Sequence, residues 1–251
     1  MIEHFEHGHV LELRLARPPV NAISPDLASS LLAALNSAFG QGYRALILSG
    51  QPGMFSGGLD VPVLLGLDRA GITAFWNDFF QLMATLARSP IPVVAAITGH
   101  SPAGGAVLGI FCDYRVMAEG NFKIGLNEVQ VGLAVPEVIQ LAFKRLLGAH
   151  RAERMMVAGA MIDSAEALRV GLVDELAAVD QVIPRALAWC QQHLALPHLA
   201  MSATRRFARR DLADLMGDAN RFPSADFADA WFGEETQTTL KALVAKLKAK
   251  G

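Results

Sequence analysis

Up to about residue 178 the sequence alternates short apolar runs with helical patterns, and after that only helical patterns follow. Runs such as "YRALILSG" (43–50) and "PVVAAITG" (92–99) are too short for buried helices and lack a polar face. The first reads as a short buried strand and the second as the next strand. Strands of that kind separated by helices require a sheet with helices packed on it, so the chain is expected to be an α/β body with a helical tail. "LSGQPGMFSGG" and "ITGHSPAGG" resemble each other faintly, about 47 positions apart. Each is an apolar strand, a loop and a glycine pair, which is the mark of a repeated ββα unit.

The remaining elements follow from local signals. "IEHFEHGHVLELRLA" reads as a hairpin around Gly8, with Leu11, Leu13 and Leu15 on one face and Glu12 and Arg14 on the other. Its histidines belong to a surface hairpin rather than a metal site. Ser24, Pro25 and Asp26 start a helix that runs to about Phe39. A helix is predicted over 72–88, a short one over "GGAVLGIF", and strands over "YRVMAEG" and "FKIG". "PEVIQLAFKRLLG" and "HRAERMMVAG" are helical. Asp163 and Glu166 form a capping box before "AEALRVG", and "LVDELA" is a strand. "HLAMSATRRFARRDLADLM" reads as one continuous helix within the tail.

Composition excludes several function classes. The net charge is −2, so no basic field points to nucleic acid or an anionic membrane. "RRFARR" (205–210) and "KLKAK" (246–250) read as solvated helix faces. Cys112 and Cys190 lack metal-site spacing and read as thiols in a reducing compartment, so a cytoplasmic protein is expected. No secretory h-region opens the sequence, and no apolar run reaches the roughly 18 residues of a membrane span.

The glycine loops carry the chemistry. A phosphate loop fails, because Gly105 is followed by Ala106 and Val107 rather than Lys-Ser or Lys-Thr. "GHSPA" falls one residue short of a nucleophile elbow. The residue after Ser101 is Pro102, which has no N–H to give an oxyanion. In a third reading the glycines expose main-chain donors. A helix start leaves N–H groups unpaired and carries partial positive charge, and glycine lets a ligand oxygen approach. Gly104 and Gly57, from different loops, would converge on one oxygen. Tight turns alone are the alternative.

"FSGGLD" (55–60), "ITGHSPAGGAVLGIFCDYRVMAEG" (97–120), "FKIGLNEVQVGL" (122–133) and "AHRAERMMVAGAMIDSAEALRVGLVDEL" resemble the enoyl-CoA hydratase/isomerase, or crotonase, superfamily. "PAGG…CDYR" and "IGLNE" look most like its Δ3,Δ2-enoyl-CoA isomerases of the mitochondrial type. The resemblance implies a crotonase-like spiral of repeated ββα units over 1–190. A C-terminal all-helical trimerisation region over 191–251 follows, giving a homotrimer or a dimer of trimers. It implies an acyl-CoA thioester as substrate, with coenzyme A as part of that substrate and no metal or redox cofactor. It places oxyanion-hole amides at Gly57 and Gly104 and a catalytic glutamate at Glu128. The second glutamate of hydratases is replaced by Val107. Asn21, Ala22, Ile23 and Leu59 match loops that line the adenine pocket in relatives, and Lys246 and Lys248 are candidates for the CoA phosphates.

The resulting expectation is an isomerase in which one carboxylate moves a proton from C2 to C4 of a 3-enoyl thioester. A 2-enoyl-CoA hydratase and a non-catalytic acyl-CoA binding protein are the alternatives. Water addition needs two acid–base groups, and Glu137 is the candidate for the second if it points into the pocket. Its first-turn position also suits a helix cap. Asn127 is a candidate orienting neighbour of Glu128, Asp60 shapes the first loop, Asp113 and Arg115 read as a structural pair, and His100 reads as loop packing or pocket wall.

Overall fold

The structure is a computed structural model and describes residues 1–218, 221 and 223–249. Strands β1 (Ile2–His7) and β2 (Val10–Leu15) pair antiparallel around Gly8, whose φ is +64°. Ser24 caps α1 (Pro25–Gly40), its Oγ accepting from Leu27 N at 3.2 Å. β3 (Ala45–Ser49), β4 (Gly53–Met54), α2 (Val61–Leu64) and α3 (Arg69–Ala87) follow. The helix predicted from residue 72 starts at Arg69 because Asp68 Oδ1 accepts from Gly71 N at 2.8 Å and caps a turn with no buried apolar residue. Next come β5 (Val93–Ile97), β6 (Gly99–Pro102) and α4 (Gly104–Ile110), then β7 (Tyr114–Ala118) and β8 (Lys123–Gly125). A 3-10 turn (Glu128–Val131) leads to α5 (Glu137–Leu147) and α6 (Ala149–Val157). After β9 (Ile162–Asp163), α7 (Ser164–Val170) and β10 (Glu175–Ala177), the chain is helical: α8 (Val182–Leu194), α9 (His198–Ala208), α10 (Arg210–Leu215), α11 (Ser224–Trp231) and α12 (Glu234–Lys248). Lys250 lies outside the described residues.

Three successive turns build the body. Each sends its first strand to a large sheet, ordered β1-β2-β3-β5-β7-β10, and its second to a small sheet, ordered β4-β6-β8-β9. Parallel pairing of Leu46 with Val93 and of Gly53 with Gly99 stacks one turn on the next. The two faintly similar segments are therefore consecutive turns of a ββα spiral. β5 shows why its sequence is apolar throughout. Val93, Ala95 and Ile97 face the main core, while Val94 and Ala96 pack with Val182, Ala186 and Cys190 of α8 on the other side.

Glu12 shares its face with Arg14 as expected, and it is buried there, accepting hydrogen bonds from Ser49 Oγ (2.6 Å) and from Arg14 Nε (3.0 Å), so its charge is compensated inside the sheet face. Three expectations need correction. "RRFARR" is not a solvated face, because Arg205 and Arg209 turn inward. The expected Asp113–Arg115 pair is exchanged: Asp113 pairs with Arg205 (2.7 Å) and Arg209 (3.3 Å), and Arg115 pairs with Asp174 (2.7 Å). The single long helix is broken at Arg209, whose backbone leaves helical values (φ −105°, ψ 10°) to point its guanidinium at Phe111 O and Cys112 O.

Candidate active site

The glycine loops meet where β6 gives way to α4. Pro102 pairs with Gly125, and Ala103 N donates to Gly125 O at 2.8 Å. Ala103 then turns through φ +44°, a conformation that a residue with a side chain rarely adopts, and aims the first turn of α4. Gly104 N has no acceptor among the described residues. The facing loop packs directly on it. A methyl group on Gly104 would lie 3.0 Å from Ile23 Cδ1 and 3.3 Å from Leu59 Cδ2, and one on Gly58 would lie 3.1 Å from Pro102 O. Here the absence of side chains is what allows the approach.

Gly57 does not supply the second donor. Its N–H is committed to Val20 O at 2.7 Å. The free amide lies two residues on. Ile23 forms a parallel bridge with Leu59 through Ile23 N to Gly58 O (2.7 Å) and Asp60 N to Ile23 O (3.0 Å). That pattern turns the N–H of Leu59 away from Ile23, and it has no acceptor among the described residues. Gly58, at φ +83°, makes the turn that presents it.

A cavity of about 540 Å³ opens beside these amides. Arg17, Val20 and Ala22 line one side, Leu59, Asp60 and Pro62 another. Pro102 and Ala103 border the glycine side, Asn127, Val131 and Leu133 come from the 3-10 turn and its flanks, and Leu243 and Leu247 of α12 close the rest. Asp60 is occupied: its Oδ1 accepts from Val63 N (3.2 Å), and its Oδ2 pairs with Arg17 at 2.5 Å. Glu128, at the head of the turn, is different. It is 9% exposed, its Oε2 is buried with no hydrogen-bond partner, and burial pushes its pKa up to about 7.

Of the residues matched to ligand-binding loops, Ala22 and Leu59 reach the cavity wall. Asn21 and Ile23 lie behind it, fully buried, so neither touches a ligand there. Lys246 and Lys248 are exposed in the last turn of α12, near but not in the cavity. His100 Nδ1 accepts from Lys123 N at 3.0 Å and its ring meets Phe122 edge-on, so it packs the loop. Ser101 Oγ is buried without a partner, so no base activates it as a nucleophile.

Nearly the whole chain, residues 6–250, matches the family model described as enoyl-CoA hydratase/isomerase. The chain belongs to the enoyl-CoA hydratase/isomerase family. It is 33% identical to the mitochondrial enoyl-CoA delta isomerase 1 of Mus musculus, over 96% of this chain and 84% of that protein. It is 35% identical to a probable enoyl-CoA hydratase of Mycobacterium avium, over 77% of this chain and 75% of that one. Its fold superposes on the crystal structure of human mitochondrial delta3-delta2-enoyl-CoA isomerase with a TM-score of 0.93 at 29% identity, covering 99% of this chain and 98% of that one.

As a member of the enoyl-CoA hydratase/isomerase family, the chain is an enzyme whose site chemistry depends on which acids face the cavity. Val107 is buried in α4, so no acid stands at that position. Glu137 points outward: its side chain is 63% exposed and pairs with Arg221 at 3.4 Å. Sequence reasoning placed Leu59 in the ligand pocket but missed its amide. The glycine pair drew attention to Gly57, whereas the direction of an N–H is set by bridge register, which the sequence does not display.

Proposed function

We propose that this enzyme is a Δ3,Δ2-enoyl-CoA isomerase, and the observation that carries the proposal is the buried, unpartnered Oε2 of Glu128, next in sequence to the cavity-lining Asn127, in a fold that leaves the Leu59 and Gly104 amides without acceptors among the described residues. The thioester oxygen of a 3-enoyl-CoA accepts hydrogen bonds from Leu59 N and Gly104 N. Glu128 takes a proton from C2, and the electron pair is delocalised into a dienolate whose oxygen charge the amides stabilise. The same carboxyl returns the proton at C4, leaving the double bond between C2 and C3. One amide of this kind contributes about 3–4 kcal/mol to the barrier. A base with a pKa of about 7 is half-ionised at neutral pH, where proton transfer is most effective. The scheme is redox-neutral and calls on no group beyond the coenzyme A that the substrate carries.

Hydration would need a second acid–base group, and the candidates are gone: Val107 is apolar, Glu137 faces solvent and Asp60 is tied to Arg17. The apolar cavity wall suits an acyl or pantetheine chain. Lys246 and Lys248, on the rim side of α12, are suited to the CoA phosphates. The test is to offer purified protein a 3-enoyl-CoA and a 2-enoyl-CoA in parallel. Conversion of the first without water addition to the second is the expected result. Dominant hydration would overturn the proposal in favour of a hydratase, and tight binding without turnover in favour of a binding protein.

A further inference from the structure

The Leu59 amide is only as well placed as the two loops that present it. Asn21 sits where "RPPVNAIS" lies on "FSGGLD" and is fully buried. Its Oδ1 accepts from Arg17 N at 2.9 Å, and its Nδ2 donates to Phe55 O at 3.1 Å. Its backbone oxygen accepts from Ser56 Oγ at 2.8 Å, and Ser56 Oγ in turn accepts from Gly58 N at 3.2 Å. The amides around Leu59 are thus all tied within the protein: Gly57 to Val20 O, Gly58 to Ser56 Oγ and Asp60 to Ile23 O. Leu59 alone of these four is left over. Asn21 also holds φ +50°, a left-handed conformation that asparagine tolerates better than most residues and that persists where its surroundings enforce it. Asn21 and Ser56 are both 0% exposed, so neither can touch a substrate. Two apolar residues would fill this space without polar groups to satisfy.

We infer that Asn21 and Ser56 are positioning residues, a buried clamp that fixes the Leu59 peptide plane so that its N–H meets the thioester oxygen at the point reached by Gly104 N–H. The inference rests on the isomerase reading above. Asn21→Gly deletes both side-chain bonds yet suits the left-handed backbone, and Ser56→Ala removes the acceptor of Gly58 N with little change in volume. In each, kcat should fall about ten- to hundredfold with KM changed less than about twofold, since a misplaced donor weakens the transition state more than binding. A second readout separates positioning from mere stability. With a saturated acyl-CoA carrying ¹³C at the thioester carbonyl, the carbonyl stretch of the bound ligand should lie below its solution frequency in the native enzyme. In both variants it should move back toward that frequency. Ser56→Ala keeps the test decisive if Asn21→Gly does not fold. Native kcat and an unmoved carbonyl band in folded variants, even with a lowered Tm, would overturn the inference. So would a fall in kcat without a band shift. A native enzyme that shows no band shift, or does not isomerise 3-enoyl-CoA, would instead overturn the isomerase reading.

Discussion

Burying Glu128 carries a cost that grows with pH. Its folded pKa of about 7 lies above the ordinary value of 4.5, so the folded state favours the protonated form. The stabilisation is complete below the unfolded value and is lost as pH rises through about 7. Glu128→Gln, neutral throughout, should therefore gain on the native enzyme from pH 5 to pH 8, reaching about 3 kcal/mol. Urea unfolding at the two pH values measures this, and a variant that loses stability at pH 8 would contradict it. In the native enzyme kcat/KM should rise with pH through a single ionisation near 7 to a plateau, because the base must be ionised. Gly58 gives a second prediction. At φ +83°, and with a methyl group only 3.1 Å from Pro102 O, Gly58→Ala should lower stability by about 1–3 kcal/mol and depress turnover by wedging Leu59 away from Gly104. Thermal melts and steady-state rates check both. "LNEV" and its context singled out Glu128, and the structure buries it with Oε2 unpartnered, while its role as the base remains the proposal. Leu59 was legible as a lining residue but not as a donor, since its amide is left over only through a bridge to Ile23 formed across the fold.

At the scale of elements, α9 is fastened to the body by charge. Arg205 and Arg209 reach Asp113, and they also bond the carbonyls that end α3 and α4: Arg205 to Ser89 O (2.6 Å), Arg209 to Phe111 O (2.8 Å) and Leu86 O (3.5 Å). Guanidinium groups suit helix C-termini, where carbonyls go unpaired. Burial alone would raise the pKa of Asp113, but the Arg205 hydrogen bonds and the Arg209 charge outweigh it and hold the carboxyl below the usual range. The stabilisation from Asp113 is therefore present above the unfolded carboxylate pKa and lost as pH falls through its lower folded value. Asp113→Ala should cost about 3–5 kcal/mol by leaving two cations without their carboxylate. Arg210→Ala, on the exposed side, should change stability by about 0.5 kcal/mol or less. Denaturant titration compares them, and equal effects would contradict the clamp. The run "RRFARR" was visible in the sequence, but its partner carboxylate is 92 positions away, so its inward turn was not.

Across the whole molecule, the ββα spiral was readable because each turn repeats the same local signals: an apolar strand, a glycine loop and a helix. What the sequence hid was the second sheet, whose strands β4 and β9 have only two residues each and no periodicity to detect. The helical tail leaves α9 with no buried residue, and Leu199 is 84% and Phe207 58% exposed. We propose that these surfaces are covered by assembly of three or six copies of the chain, as the family resemblance implies. Light scattering should report that mass, and Phe207→Asp should lower it; a native monomer would contradict the proposal. The proposed reaction hangs on one carboxylate, so the decisive measurement is the rate of 3-enoyl-CoA isomerisation by Glu128→Gln beside the native enzyme above pH 7. A fall of about 10²–10⁴ with acyl-CoA binding retained is the predicted result, and a rate within about threefold of native would contradict a single-base proton transfer by Glu128.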